Sequence, residues 1–245
     1  MIDLHCHYLP GIDDGAANLA ASLALAKAAV NSGITHAVCT PHIHYGYFNN
    51  DIDIISSTHV IFAAALAKEN IPLKTHYAAE VRITPEIIKL QSQNRLPFLG
   101  YINERPVLLL ELPHSHIPPG TEELIQWLNS NGITPMIAHP ERNRDILANY
   151  NKAYWLKGKN VLFQVTAGAI TGTFGEKVQE CAFAMLKDGF ADIVATDAHN
   201  LHKRPPELKE AFSEITTHFG ADLALKLCKD TPWNIAKCWF TQDDE

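Results

Sequence analysis

Short apolar stretches alternate with helix-like ones along almost the whole chain, and nearly every apolar stretch ends in a residue that can bind a proton or a metal. Residues 34–39 (ITHAVC), 73–79, 106–110 (PVLLL), 133–138, 161–166 and 192–196, with 1–5 at the start, are short, apolar and punctuated like buried strands. Helical segments fall between them: 18–32, stopped by Gly33 and capped by Asn18; 54–69; one opened by Thr84-Pro85-Glu86 with Thr84 as its cap; then 121–130, 144–157 and 176–188. Two more, 206–219 and 222–229, end the chain. About seven strands, each followed by a helix and apolar enough to be buried on both faces, predict an α/β fold with a parallel sheet. The even rhythm favours a closed barrel over an open sheet, and no linker or low-complexity segment interrupts it, so residues 1–245 read as one domain.

In a parallel barrel all strand C-termini share one face, where such folds build their sites. The first strand ends in His5-Cys6-His7, with Asp13 and Asp14 a few residues on; the second runs into Thr40-Pro41-His42; the third and fourth end at Glu80 and Glu111. The fifth ends at His139, the sixth at Thr166 and Gly168, and the seventh in Asp197-Ala198-His199. The side-chain period of an extended chain is two, so His5 and His7 point the same way, as do Asp197 and His199, while Cys6 points into the wall. Each residue alone is weak evidence, since a single His or Glu at a strand end is more often a packed or solvated side chain. The ordered set is different. Imidazoles and carboxylates without thiolates suit Mn²⁺, Fe²⁺ or Zn²⁺ in a hydrolytic site. The number of donors exceeds one ion's needs, so two or three divalent ions are implied, with Glu80 or Glu111 bridging a pair.

Composition narrows the classes. The chain is 47% apolar with a net charge of −7, which argues against a basic face for nucleic acid. No apolar run approaches the roughly 18 residues of a membrane span, and Met1-Ile2-Asp3 lacks a basic leader, so membrane insertion and export are not expected. Five cysteines without a CxxC pair read as free thiols in a reducing cytoplasm, with Cys39, Cys181, Cys228 and Cys238 as small buried residues. None has an Arg six positions later (Ile12, Tyr45, Lys187, Asn234 and Asp244 stand there), so a cysteine-based phosphate cradle is absent. There is no nucleotide-binding glycine fingerprint.

The stretches MIDLHCHYLPGIDDGA, CTPHIHYG, AAEVRI, LLLELP, IAHPERNR, QVTAGAITGTFG and VATDAHNLHKRPP resemble the PHP (polymerase and histidinol phosphatase) superfamily. Within it they resemble the bacterial manganese-dependent protein-tyrosine phosphatases of capsule and exopolysaccharide operons. The resemblance implies a distorted (β/α)7 barrel with a trinuclear metal centre. Carried over, the ligands are His5, His7, Asp14, His42, Glu80, Glu111, His139, Asp197 and His199. His5, His7 and Asp197 would share one ion with a bridging carboxylate. Asp14, His42 and His199 would hold a second, and His139 with the remaining carboxylate a third. Asp14 is preferred over Asp13, and His42 over His44. Arg142 and Arg204 match as well, and a planar guanidinium fits a phosphoryl group in bidentate fashion.

The implied reaction is hydrolysis of a phosphotyrosyl ester by water activated at the cluster, with Mn²⁺ as the family's metal. A phenolate leaving group, with a pKa of about 10, needs little help from an acid; His202 is a weak candidate. The implied partner is the phosphotyrosine tail of a membrane-associated tyrosine kinase driving polysaccharide export. Aromatics around Tyr45, Tyr47 and Phe48 would line the mouth. The alternatives are a small-metabolite phosphatase such as a histidinol phosphatase, an amidohydrolase-type enzyme, or a non-catalytic binding module. The sequence leaves the oligomeric state open.

Overall fold

The computed structural model describes residues 1–240. Its strands are β1 (Ile2–Cys6), β2 (His36–Cys39), β3 (His42–Ile43), β4 (Lys74–Tyr77), β5 (Glu80–Arg82), β6 (Gly100–Ile102), β7 (Arg105–Glu111), β8 (Thr134–Ala138), β9 (Leu162–Thr166) and β10 (Ile193–Ala195). The helices are α1 (Leu19–Asn31), α2 (Ile52–Lys68), α3 (Glu86–Ser92), α4 (Thr121–Ser130), α5 (Arg144–Ala148), α6 (Asn151–Lys157), α7 (Ala167–Ile170), α8 (Glu176–Lys187), α9 (Leu208–Phe219), α10 (Ala221–Leu225) and α11 (Thr231–Ala236). No helix of the described residues is long and apolar enough to cross a membrane.

Hydrogen-bonded neighbours run β1-β2-β4 in one sheet and β10-β9-β8-β7-β5-β3 in the other, all parallel. β6 joins antiparallel on β7, a hairpin the sequence reading did not contain. β2 continues into β3 past Thr40-Pro41, and β4 into β5 past Ala78-Ala79, so two of the expected strands are each broken in the middle. Counting each as one gives the expected seven parallel strands. The seam between β10 and β1 is carried by the segment after β10. Asp197 N donates to His5 O at 2.9 Å or less, namely 2.7 Å, and His7 N to Ala198 O at 2.9 Å. Asp3 reinforces the seam. Fully buried, its carboxylate accepts from Thr196 N (2.9 Å), from the Thr196 hydroxyl and from Tyr8 OH (3.2 Å).

Alternate residues sort into two cores. Leu108, Leu110, Ile137, Phe163 and Val165 pack outward with the helices. Ile2, Leu4, Val38, Ala78, Leu109, Met136, Ala138, Ile193 and Ala195 form the smaller cluster between the strands. α11 and Phe240 belong to that inner cluster, and Trp233 and Phe240 lie edge-on to His36 at the start of β2. They therefore close the N-terminal end of the barrel, opposite the strand ends that carry the polar residues.

Local signals explain most helices. Asn18 caps α1 by accepting from Ala21 N at 3.0 Å. Three expectations fail. Thr84 makes no side-chain cap for α3, whose N-cap position is Pro85. The helix expected over 144–157 is two, because Asn149 is extended (φ −149°, ψ 97°) and ends the first. Cys238 is exposed, although Cys39, Cys181 and Cys228 are buried as expected.

Gly100, at φ +144°, brings β6 against α11, and a Cβ there would sit 2.0 Å from Ile235 O. Gly100→Ala should therefore destabilise the protein by about 1–3 kcal/mol, measured by urea unfolding. An unchanged midpoint would show that α11 does not seat on this backbone.

Candidate metal centre

A bulge in β1 aims the first candidate donors. Asp3 pairs with Ala37 and Cys6 with Cys39, so β1 holds one extra residue across this step. The bulge puts Leu4 and then His5 on the inner side, leaving Asp3 and Cys6 to the wall. Cys6 is fully buried, with its thiol toward Val38 O at 3.6 Å. The other strands extend the inner stripe in steps of two: Ala78 to Glu80, Leu109 to Glu111, Leu162 to Gln164, Ala195 to Asp197. Register then sets neighbours, pairing His42 with Glu80 and Arg82 with Glu111. At the rim, Gly15 packs so closely that a Cβ would lie 2.3 Å from His7 O, which holds the Asp13-Asp14 turn over the site. His139 (φ +36°) and Asp197 (φ +51°) adopt the left-handed backbone that non-glycine residues avoid, strain that recurs at functional sites.

All nine predicted ligands lie together and, with His114, make up four overlapping groups, within each of which the donor atoms lie within 4.8 Å of one another. The first is His5, His7, Glu80 and Asp197. The two Nε2 atoms are 3.3 Å apart; His5 Nε2 is 3.2 Å from Glu80 Oε2 and 3.4 Å from Asp197 Oδ1, and His7 Nε2 is 3.4 Å from both. Tetrahedral donors about 2.0 Å from one ion are separated by roughly 3.3 Å, so this cage fits a small divalent cation. In the second group, Asp14 Oδ1 is 3.3 Å from both His42 Nε2 and His199 Nε2. His7 stands beside it, but its one free lone pair already faces the first group. The third holds Glu111, His139 and His114. His42, Glu80 and Glu111 also come within reach of one another. Glu80 is the carboxylate that spans groups: Oε2 faces His5 and His7, while Oε1 lies 2.8 Å from His139 Nε2.

The protein fixes the imidazoles from behind. Gln164 Oε1 accepts from His139 N at 3.2 Å, which identifies that atom as oxygen, and so His5 Nδ1 donates to it at 2.8 Å. His7 Nδ1 donates to Asp13 (2.7 Å), and His199 Nδ1 to the Asp197 carbonyl (2.8 Å). Each hydrogen bond places the proton on Nδ1 and leaves the Nε2 lone pair directed into the cluster, the arrangement that metal-binding histidines use. Meanwhile His42 Nδ1, His199 Nε2, Glu80 Oε2 and Glu111 Oε2 are buried and make no hydrogen bond. His42 Nδ1 and Glu80 Oε2 face each other at 3.1 Å, and such buried lone pairs without a hydrogen bond are what a cation would satisfy. Asp13 is thus an orienting residue and Asp14 the one facing the cluster. His44 lines the pocket against Tyr47 rather than joining a group.

Charge is balanced within the cluster. Burial alone would raise the Asp197 and Glu80 carboxyls. His199 and His5 outweigh it at Asp197, and His5 and His42 at Glu80, so both stay well below the usual range. Burial, with Arg142 beside it, pushes His139 down to about 4, which keeps it neutral. Burial and the neighbouring Glu80 push Glu111 up to about 7.

The groups open into a pocket of about 830 Å³. Arg142 donates to Asp197 Oδ2 and lies over the Phe174 ring at 4.5 Å; Arg204 donates to Asp14 Oδ2 at 3.2 Å. Tyr47 and Phe48 line the mouth, Phe48 stacked on His42 at 5.3 Å, whereas Tyr45 does not. His202 is exposed and lines no part of it. Sequence reasoning missed four participants. Arg82, on the same face of β5 as Glu80, has its Nε 3.2 Å from Glu111 Oε2. The period-two rule could have found it, and also Gln164 on β9. His114 sits in a loop beside the equally plausible His116, and nothing in the sequence separates them. The orienting role of Asp13 depends on the turn at Gly15.

The family model for capsular polysaccharide synthesis, CpsB/CapC, matches residues 1–237. This chain belongs to that family. It is 35% identical over 230 residues to the tyrosine-protein phosphatase YwqE of Bacillus subtilis, covering 94% of this chain and 89% of YwqE. It is 32% identical to the putative tyrosine-protein phosphatase CapC of Staphylococcus aureus, covering 87% and 83%. A solved structure from work on YwqE and on CpsB of Streptococcus pneumoniae, described as metal-dependent tyrosine phosphatases, superposes with a TM-score of 0.89 at 33% identity, covering 97% of this chain and 94% of that one. The lactonase Lmo2620 of Listeria monocytogenes, at 14% identity and a TM-score of 0.51, shares the fold alone.

Replacing Gln164 by Leu removes the acceptor that sets the His5 tautomer. Mn²⁺ affinity, measured by calorimetry on chelator-stripped protein, should fall about 10–100-fold. Unchanged affinity would mean that His5 is oriented by its backbone alone.

Proposed function

We propose that this protein is a metal-dependent protein-tyrosine phosphatase in which residues 1–245 act as one domain. The observation that carries the reading is the cluster of overlapping groups, ten imidazole and carboxylate side chains in all, beneath a pocket that four arginines line. Kinship with YwqE and CapC supports phosphotyrosine as the substrate. The ligands are His5, His7, Asp14, His42, Glu80, Glu111, His139, Asp197 and His199, with Glu80 as the carboxylate shared between sites. Its Oε2 faces His5 and His7 and its Oε1 faces His139. The donor set of nitrogen and oxygen fits Mn²⁺, with Fe²⁺ or Zn²⁺ as competitors.

Divalent cations held there would supply Lewis acidity toward the phosphoryl oxygens and make a hydroxide nucleophile available near neutral pH. The rest is the work of the chain. Arg142 and Arg204 are anchored by Asp197 and Asp14, so their guanidinium planes are held at the cluster before substrate arrives. They bind the non-bridging oxygens and stabilise charge as the ester bond breaks. Phe174 packs under Arg142 and restricts its swing. Asp13 and Gln164 keep the protons of His7 and His5 on Nδ1. Tyr47 and Phe48 offer apolar surface to the substrate's ring at the mouth. The phenolate leaves with little need of an acid.

The protein substrate we propose is the phosphotyrosine tail of a membrane-associated tyrosine kinase of capsular or exopolysaccharide synthesis. The family's tie to capsule synthesis supports it. Five unpaired cysteines, four of them buried, suit the cytoplasm, where such a tail would lie.

The deciding experiment is phosphate release by metal-stripped protein with and without Mn²⁺, on a phosphotyrosine peptide, a phosphoserine peptide and histidinol phosphate. Mn²⁺-dependent release from the phosphotyrosine peptide alone is expected; preference for histidinol phosphate would overturn the substrate and leave the metal chemistry. His42→Ala and Asp197→Ala should each lose at least about 1,000-fold in kcat/KM while keeping their circular dichroism, because each removes a ligand that also positions a neighbour. Near-normal turnover in either would refute the cluster as drawn. Cys6→Ser should keep most of its activity, since its thiol faces the wall; a complete loss would revive covalent catalysis.

A further inference from the structure

The pocket over the cluster continues into a second, largely apolar groove of about 420 Å³. Ile83 lines both. Two segments contribute to both spaces. Along the first, Arg82 lines the pocket and Thr84, Pro85 and Ile88 line the groove. Along the second, Pro113, His114 and Ser115 give way to Pro118 and Pro119. Leu124 and Trp127 of α4, both half-buried against the core, complete the groove. Ile88 is 44% exposed and faces the groove. Among the described residues Glu123 is the groove's only charged lining residue, whereas the pocket holds Arg82, Arg142, Arg144 and Arg204 beside Asp14, Glu80, Glu111 and Asp197. The two spaces thus differ in chemistry, one rich in ionisable side chains and the other largely apolar, and they adjoin at Ile83.

We propose that this groove is a substrate subsite that takes a bulky apolar side chain, aliphatic or aromatic, from the polypeptide carrying the phosphotyrosine. The proposal rests on the phosphatase reading. A phosphotyrosine seated over the cluster must carry its backbone across the pocket rim. Pro85 is three positions beyond Arg82, at most about 10 Å of chain, so a side chain within about four residues of the phosphotyrosine reaches the groove. An acidic side chain finds there only Glu123 and apolar walls, with no partner for its charge. A Leu or Phe instead covers Ile88, Leu124 and Trp127 and leaves water itself. Full burial of such a side chain corresponds to roughly a tenfold or greater gain in kcat/KM. The phosphoryl site sets the reaction, and the groove selects which phosphotyrosine is taken.

The test uses the Mn²⁺-loaded full chain and phosphotyrosine peptides in which each position from −4 to +4 carries Leu, Phe, Ala or Asp. p-Nitrophenyl phosphate, which has no peptide, is the reference. Wild-type protein should prefer Leu or Phe over Ala at one position by at least about tenfold, with Asp the poorest. Ile88→Glu and Pro119→Glu both change exposed residues outside the catalytic machinery. Each should erase that preference and leave p-nitrophenyl phosphate turnover and the thermal midpoint unchanged. Release from all peptides without preference would overturn the subsite and leave the phosphatase reading standing. A preference that survives both variants would also overturn it, since selection would then arise elsewhere. No release from any phosphotyrosine substrate would overturn the phosphatase reading, and the subsite with it.

Discussion

Two imidazole nitrogens, His5 Nε2 and His7 Nε2, face each other at 3.3 Å, each with its other ring nitrogen already donating to a protein acceptor. Two lone pairs so close repel unless a positive charge lies between or beside them. Either a cation or a proton can supply it. Burial would lower both imidazoles, but Glu80 and Asp197 outweigh it at His5 and Asp13 does so at His7, so both hold protons more readily than free histidine. Cation and proton therefore compete for one space, and a bound cation displaces protons. The rest of the site is arranged around this contact. Glu80 and Asp197 balance its charge, Asp13 and Gln164 hold its rings, and Arg142 holds Asp197 in turn.

The fold makes this contact unavoidable. β1 alone would place Asp3 and His5 on one face, and its bulge breaks that parity. Asp3 is left in the wall, where Thr196 and Tyr8 satisfy it and where it fastens the seam. The seam in turn lays Asp197 and His199 alongside His5 and His7, so that the His7 and His199 rings stack at 3.8 Å. A local slip in one strand thereby decides both the barrel's closure and the composition of its first two ligand groups.

Much of this was legible because strand ends and side-chain parity are local properties. The HxH and DxH pairs, the glutamates at the third and fourth strand ends and His139 needed only the alternation of strand and helix. The broken strands β2–β3 and β4–β5 were not legible, since ITHAVCTPHI reads as an apolar run whether or not Pro41 interrupts its pairing. Nor was the break at Asn149, because propensity alone permits a helix through residues 144–157. The orienting roles of Gln164 and Asp13 depend on residues far away in sequence: Gln164 meets His5 across 159 positions. The recruitment of His114 to the third group depends on a loop path that no periodicity encodes.

The three groups differ in their access to water, and this matters for how such a centre would fill. In the first, the four side chains are at most 2% exposed. The second includes Asp14, 45% exposed at the rim, and the third includes His114, exposed in its loop. Charge interactions weaken as solvent enters, so the same donor types would hold a cation more firmly in the first group than in the other two. The rim groups are also where the arginines stand, Arg204 on Asp14 and Arg142 near His114 at 3.5 Å. A phosphoryl group bound by those arginines would bring negative charge to the two weaker groups, supplying the ligands they lack.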